Sequence, residues 1–397
     1  MIPPPSLPNS PFYDDARALL RALSGPHGIH ASQATTANYR AVFARDAVMA
    51  GVAGLLAGDD AVTAGLVRTL ERLRDLQGTE GQIASNYEVG TGGEVRDDAP
   101  GIPPKVSFGA VVPRLDAPTW YLTGVALAAR AGALDPAPFA RSARRTVRLL
   151  DALEYNGRHF VYTPAGGNWA DEYLTEGYTL YDQVLRAWAL RLLGTVYGEP
   201  AWTAKAAAIG ARIAAAFWPD PGDGRGYPVA SFTPLGARDT FDLAGCALLA
   251  LSGVAPAVGT TTLDWIVARF LGRGALPPAF HPVVDEGHPE WAALRRYHLF
   301  AFRNRPHEYH NGGVWPVWLG WLALALAQAG RGSDLAGLRA TVAAKLAAAP
   351  AFDFEEYLHG VTYAPGGTPR MAYTATGLVF LAHADSDRAA HLLTPPS

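Results

Sequence analysis

Apolar positions recur at helical spacing along most of the chain. The period predicts helices over 12–24, 41–58, 60–77, 118–132, 136–154, 175–197, 199–217, 240–252, 260–272, 311–330, 333–349 and 370–385. Strand signals are sparse, and "HFVYTP" (159–164) and "GYPVASF" (226–232) read as short hairpin arms. The helices fall into successive pairs joined by short turns such as "AGDD", "AGALDP" and "YGEP". Longer loops, 78–117, 155–174, 218–239, 273–310 and 350–369, separate the pairs.

Alternating short and long connections suit a closed ring of helical hairpins. The expected fold is therefore all-α: an (α/α)6 toroid of six hairpins in two concentric rings, with a few short hairpin strands in the rim loops. It would form one domain spanning 1–397. A helical solenoid is the rival, but no repeat of fixed length stands out. "GVWPVWLGWLALALAQAG" is apolar on every face, as an inner ring requires; "PAPFARSARRTVRLLDAL" is Arg-spotted, as an outer ring allows.

Composition narrows the class. Apolar residues make up 49% and charged residues 17%, which favours a large buried globule over disorder. The net charge is −3 with no basic stripe, so no nucleic-acid partner is expected. One cysteine, Cys246, cannot form an internal disulfide and suits core space. "MIPPPSLPNSPFYDD" has neither the basic nor the apolar region of a signal peptide, and the longest apolar runs fall short of a clean membrane span. The expectation is a cytoplasmic protein without a membrane partner; the sequence is silent on oligomeric state.

Unusual chemistry gathers in five stretches at helix starts or in long loops. "YRAVFARDAVMAG" (39–51) sets Arg45 and Asp46 in an apolar run, either as a surface-reaching ion pair or as a carboxylate that accepts sugar hydroxyls while the arginine holds it. "RLDAPTWYL" (114–122) puts Asp116 where a helix N-cap belongs and offers Trp120 as core or stacking surface. "GNWADEY" places Asp171 and Glu172 after Trp169: one can cap the next helix while the other points into a cleft. A carboxyl desolvated by an indole would be pushed upward in pKa, as a proton donor needs. "HEYHNGGVWPVW" (307–318) lacks the spacing of a zinc motif; His310, Asn311 and Trp315 read better as a sugar-binding rim. "FDFEEYLHGVTYAPGG" (352–367) adds Glu355 and Glu356, either a solvated pair or a second carboxylate on the same rim. Tyr87, in the first long loop, joins the candidate sugar contacts. Two carboxylates across a cleft with aromatic and hydroxyl-binding groups meet the needs of glycoside hydrolysis. No G-x-S-x-G supports a serine nucleophile.

The order of these motifs resembles that of the (α/α)6 inverting glycoside hydrolases: neutral/alkaline invertases, the amylo-α-1,6-glucosidase part of glycogen debranching enzymes, and the glucosylglycerate and mannosylglycerate hydrolases. "YHNGGVWPVW" is the most specific match, to "YHNGG-WP"; the resemblance runs from about 39 to 380. It implies Asp171 as general acid and Glu356, which directly precedes Tyr357, as general base. It puts Arg45, Asp46, Asp116, Trp120, His310, Asn311 and Trp315 at sugar-contacting or cleft positions. The late motif departs from the pattern at His359 and lacks a tandem tyrosine. The implied substrate is a small α-linked glycoside, a sugar or oligosaccharide, and the mechanism calls for no metal or organic cofactor. Two alternatives stay open: an epimerase or isomerase using His281, His298, His307, His310 or His359, and a carbohydrate-binding toroid without catalysis.

Overall fold

A computed structural model describes residues 12–34, 39, 41–88, 106–109, 112–154, 159–218, 220–298, 301–349 and 351–394. The helices are α1 (Tyr13–Leu23), α2 (Ala44–Ala57), α3 (Asp60–Asp75), α4 (Asp116–Arg130), α5 (Ala140–Ala152), α6 (Leu180–Tyr197) and α7 (Pro200–Phe217). They continue with α8 (Leu243–Ser252), α9 (Pro256–Arg269), α10 (Trp291–Leu294), α11 (Pro316–Gln328), α12 (Gly332–Ala348), α13 (Ala372–His383) and α14 (Asp387–Leu393).

Six of them close a ring. α2 packs on α4, α4 on α6, α6 on α8, α8 on α11, α11 on α13, and α13 back on α2. Their sequences explain why. α11 is buried at every position from Pro316 to Leu326, and α13 at every position from Ala372 to His383, so neither has a face for solvent. The outer helices carry one apolar stripe. In α5 that stripe is Ser142, Ala143, Thr146, Val147 and Leu150, turned toward α4. The structure is thus the expected all-α toroid.

One detail of the pairing differs from the expectation. Five hairpins are consecutive: α2–α3, α4–α5, α6–α7, α8–α9 and α11–α12. The sixth joins α13 to α1, from opposite ends of the chain. A single apolar stripe on α1 is satisfied equally by a neighbour in sequence or by the last inner helix, and the ring supplies the latter. The hairpin turns are built on a left-handed residue after the inner helix. Gly58 and Gly198 occupy it with φ of 64° and 63°, where a side chain would be strained. α7 then opens on Pro200, whose missing N–H is not needed in a first turn.

The strands are two or three residues long. Ser231–Thr233 pairs with both Tyr178–Thr179 and Gly236–Arg238, so only the end of "GYPVASF" is strand. "HFVYTP" contributes isolated bridges at Val161 and Thr163. No helix among the described residues is long and apolar enough to cross a membrane.

Indoles fill the ring below the rim. Trp321 of α11 meets Trp120 of α4 at 5.5 Å, Trp188 of α6 at 5.9 Å and Phe380 of α13 at 4.7 Å. Trp321→Ala removes the contact common to four inner helices. It is expected to lower unfolding free energy by about 3–5 kcal/mol, read as a shift in the denaturant midpoint.

Candidate active site

The N-terminal ends of the inner helices and the long loops before them face one rim. Between them lies a cavity of about 290 Å³. Asp46, Trp169, Asp171, Glu172, Arg303 and Glu356 line it, together with Arg45, Tyr309, Trp315 and Tyr373.

Its floor is the first turn of α2. The extended pair Val42–Phe43 runs against Asn86–Tyr87 and delivers Arg45 and Asp46 to the cleft. Arg45 donates from Nε to Asp46 at 3.0 Å and from Nη1 to Asp116 at 3.1 Å, and its guanidinium lies 5.6 Å from the Tyr373 ring centre. Burial pushes the Asp46 carboxyl up despite Arg45. Asp116 does not cap α4, whose N-cap is Leu115 without a side-chain bond; it is spent on Arg45 instead.

The loop carrying Trp169, Asp171 and Glu172 is fastened from below. Asn168 Nδ2 donates to Asp182 of α6 at 2.9 Å, and Thr163 and Thr179 donate to the same carboxyl oxygen. Thr179 caps α6, so neither Asp171 nor Glu172 serves as its cap. Arg114 bonds the Asn168 carbonyl through Nη1 at 2.8 Å and Asp171 through Nη2 at 2.8 Å. Glu172 is buried and takes the Arg303 guanidinium on both oxygens, each at 3.1 Å. Trp169 lies flat on Phe280, with planes 8° apart, and edge-on to Trp315.

Glu356 enters from the last long loop. Tyr39 donates to its Oε1 at 2.6 Å, the Thr368 N–H to its Oε2 at 3.0 Å, and Arg303 stands 3.8 Å from Oε2. Gly367 makes this fit possible: a Cβ there would sit 2.5 Å from Glu356 Oε2. Glu355 turns back to accept the Asp353 N–H at 2.8 Å and does not line the cavity.

The two carboxyls are tuned in opposite directions. Burial pushes Glu356 up; Tyr39, Arg303 and the Thr368 N–H oppose it without cancelling it. Burial also acts to raise Asp171, but the Arg114 charge outweighs it and the net direction is down. The expectation that desolvation beside Trp169 leaves Asp171 raised therefore fails here, because a cation from another element sits on the carboxyl.

Several sequence candidates lie off the cavity wall. Trp120 is buried against Trp321 and donates its N–H to Tyr181 at 2.7 Å. Tyr87 is buried and donates to the His27 carbonyl at 2.7 Å. Asn311 staples two loops, accepting the Val284 N–H and donating to the carbonyls of Val284 and Asn304. His310 is wholly buried between Tyr309 and Trp315, and burial pushes it down to about 3, so it stays neutral. The positions that sequence reasoning did not single out are Tyr39, Arg114, Arg303, Tyr309 and Tyr373. Arg114 and Tyr39 open quoted motifs but carry no local signal; Arg303 lies in a loop without periodicity.

Four inner helices begin on a buried aspartate: Asp46, Asp116, Asp182 and Asp242. The positive ends of the helix dipoles favour carboxylates there. Even so, burial lifts Asp182 and Asp242 from 3.8 to about 7 each. An acid raised on folding stabilises the native state below its unfolded pKa and loses that contribution as pH rises toward its folded pKa. These two residues are thus expected to make stability fall as pH rises from about 4 to about 7 and then level off. Denaturant midpoints across that range check it: Asp242→Asn should flatten part of the slope.

No protein-family model and no curated protein sequence matches this chain. Solved structures do. The mannosylglycerate hydrolase from Thermus thermophilus, of glycoside hydrolase group GH63 and in complex with glucose, is similar with a TM-score of 0.66 at 15% identity, over 93% of this chain and 99% of that one. A bacterial glucoamylase complexed with acarbose has a TM-score of 0.65 at 16% identity, over 97% of this chain and 56% of that one. A rhamnosidase from Klebsiella oxytoca with rhamnose bound has a TM-score of 0.61 at 14% identity, over 95% and 65%. At these identities the likeness is one of fold.

Proposed function

We propose that this chain, as a single catalytic domain, is an inverting glycoside hydrolase acting on a small α-linked glucosyl compound. One observation carries the reading. Asp171 and Glu356, 185 positions apart, line the same cavity, each carboxyl held by its own set of donors. A volume of about 290 Å³ sits at the low end for small-molecule sites and suits a sugar ring better than a polymer. The fold is shared with enzymes whose names are those of glycosidases, one of them holding glucose.

In this reading the sugar ring rests over Arg45 and Asp46, which bond its hydroxyls, between the aromatic walls of Trp169, Trp315 and Tyr309. Asp171, in its protonated form, gives its proton to the glycosidic oxygen as the C1–O bond breaks. A water on the opposite face adds its oxygen to C1, and Glu356 takes the proton that water loses. The sum is glycoside plus water to free sugar plus alcohol, with the anomeric centre inverted. The water between the carboxyls calls for a separation of about 6.5–9.5 Å.

The histidine route to epimerisation is less well supported, since none of the described residues lining the cavity is a histidine. The test is a screen of the purified chain against sucrose, trehalose, maltose, isomaltose and glucosylglycerate, with the first-formed anomer followed by NMR. Release of β-glucose from an α-glucoside supports the proposal. Release of the α-anomer overturns inversion, and no release from any sugar overturns hydrolysis.

A further inference from the structure

Two carboxyls of the cleft each meet an arginine, with opposite results. Arg114 gives one arm to the Asn168 carbonyl and the other to Asp171 at 2.8 Å, and its charge holds the Asp171 carboxyl down. Arg303 stands beside Glu356, yet burial still pushes that carboxyl up. The difference is a third carboxylate. Glu172 takes Arg303 Nε on one oxygen and Nη2 on the other, each at 3.1 Å, so the two-pronged side of the guanidinium is filled. What remains for Glu356 is Nη1 at 3.8 Å, beyond hydrogen-bond reach.

Neighbouring contacts keep these side chains in this order. The Arg303 guanidinium lies over the Tyr309 ring, 3.9 Å from its centre. Asn304 donates from Nδ2 to the Glu172 carbonyl, and its Oδ1 accepts the N–H groups of His310 and Asn311 at 3.1 and 3.2 Å. Glu172 is thus held by side chain and backbone through two consecutive residues of one loop. Glu172 is 1% exposed and the Arg303 side chain 34%, so the arginine has the room to swing that Glu172 lacks. Glu356 is faced by Tyr39, Arg303, Asp171, Tyr309 and Tyr357, and Tyr39 and Tyr309 face Arg303 as well. Of the groups facing Glu356, Arg303 brings the positive charge. A guanidinium in direct contact would hold Glu356 ionised and occupy an oxygen lone pair.

We propose that Glu172 is a positioning residue for the base: by filling the fork of Arg303 it keeps that cation off Glu356, which can then take a proton from water. The inference rests on the hydrolase reading for the base's task, and it gives Glu172 a role other than binding sugar. The restraint matters because a general base works by its proton affinity. Without Glu172, a movement of roughly 1 Å brings Arg303 Nη1 from 3.8 Å to bonding distance of Glu356. Loss of the Glu172 charge acts in the same direction, since a like charge nearby disfavours an ionised carboxyl. Glu356 would then resemble Asp171: paired, ionised and a weaker base.

Two measurements test this. The first follows the Glu356 carboxyl by NMR as pH is varied, in intact protein carrying isotopically labelled glutamate carboxyls; the signal is identified by its absence in Glu356→Gln. In Glu172→Gln the Glu356 midpoint should move to lower pH, by about 1 on the pH scale. In Arg303→Gln it should move to higher pH, and adding Glu172→Gln to that variant should shift it less than in the wild type. An unmoved or raised midpoint in Glu172→Gln, or the same shift with and without Arg303, would overturn the proposal. Should Glu172→Gln not fold, Glu172→Asp, which keeps the charge but draws it back by one methylene, should give a smaller shift in the same direction; no shift there counts equally against it. The second measurement uses a glycosyl fluoride and Asp171→Asn, in which the pH profile reports the base alone. Adding Glu172→Gln should move the fall in kcat/KM to lower pH and reduce the kcat plateau by roughly 3- to 10-fold. A raised KM with the profile unmoved would make Glu172 a substrate contact and sink the inference, with the hydrolase standing. A moved NMR midpoint in a protein that turns over no glycoside would sink the hydrolase reading and leave the hold of Glu172 on Arg303 as proposed.

Discussion

Glu356→Gln should lower kcat by about three orders of magnitude, within the range for losing a general base. The amide keeps the shape of the carboxylate, and its oxygen still accepts from Tyr39 or from the Thr368 N–H, so the fold is expected to survive. What it loses is the capacity to take a proton from water. Azide needs no deprotonation, is small, and can occupy the place of that water. Added azide should therefore restore turnover and yield a glycosyl azide of inverted configuration. Wild-type rates in Glu356→Gln would remove Glu356 from the base position and turn attention to Glu172, which shares Arg303 with it. With Asp171 lowered and Glu356 raised, the active form has the lower-pKa carboxyl protonated and the higher-pKa carboxyl ionised. The acidic limb of kcat/KM should therefore break at the Asp171 pKa and the alkaline limb at the Glu356 pKa.

Asp171→Asn is expected to cost about as much on an ordinary glycoside, roughly 10³-fold, because the leaving alkoxide would depart without a proton. A glycosyl fluoride leaves as a stable anion and has no need of one. On that substrate the variant should retain most of its activity, and with no acid left to deprotonate the alkaline limb of the pH profile should vanish, leaving a single fall as pH drops through the raised Glu356 pKa. An equal loss on fluoride and on an alkyl glycoside would mean that Asp171 positions the substrate or Arg114 rather than donating the proton.

The helical ring was readable from periodicity because its cause is local. A segment such as 316–326, apolar on every face, has no stable place except between other helices, and a glycine after it, Gly330 with φ of 70°, together with a short turn brings in an antiparallel neighbour. The motif stretches could be read for the same reason: carboxylates, tryptophans and glycines crowded into loops are uncommon unless something binds there. Their individual assignments were less legible. Asp116 looks like a cap and is an ion-pair partner. Trp120 and Asn311 look like sugar contacts and are packed or bonded within the protein. A helix start, a buried core position and a cleft wall draw on the same residue types, and only the direction of the side chain separates them.

From the sequence alone came the all-α ring, the rim where the long loops gather, and a short set of carboxylates from which any acid and base had to be drawn. The tertiary structure decided the rest. It closed the ring with the first and last inner-outer pair, turned Glu356 rather than Glu355 into the cavity, and set Arg303 between Glu172 and Glu356. It also placed Arg114 on Asp171, reversing the pKa direction that the neighbouring indole suggested. These outcomes share a physical reason. A carboxyl's charge depends on whatever lies within a few ångströms of it, and here those partners stand 57 positions away for Asp171 and Arg114 and 317 for Glu356 and Tyr39.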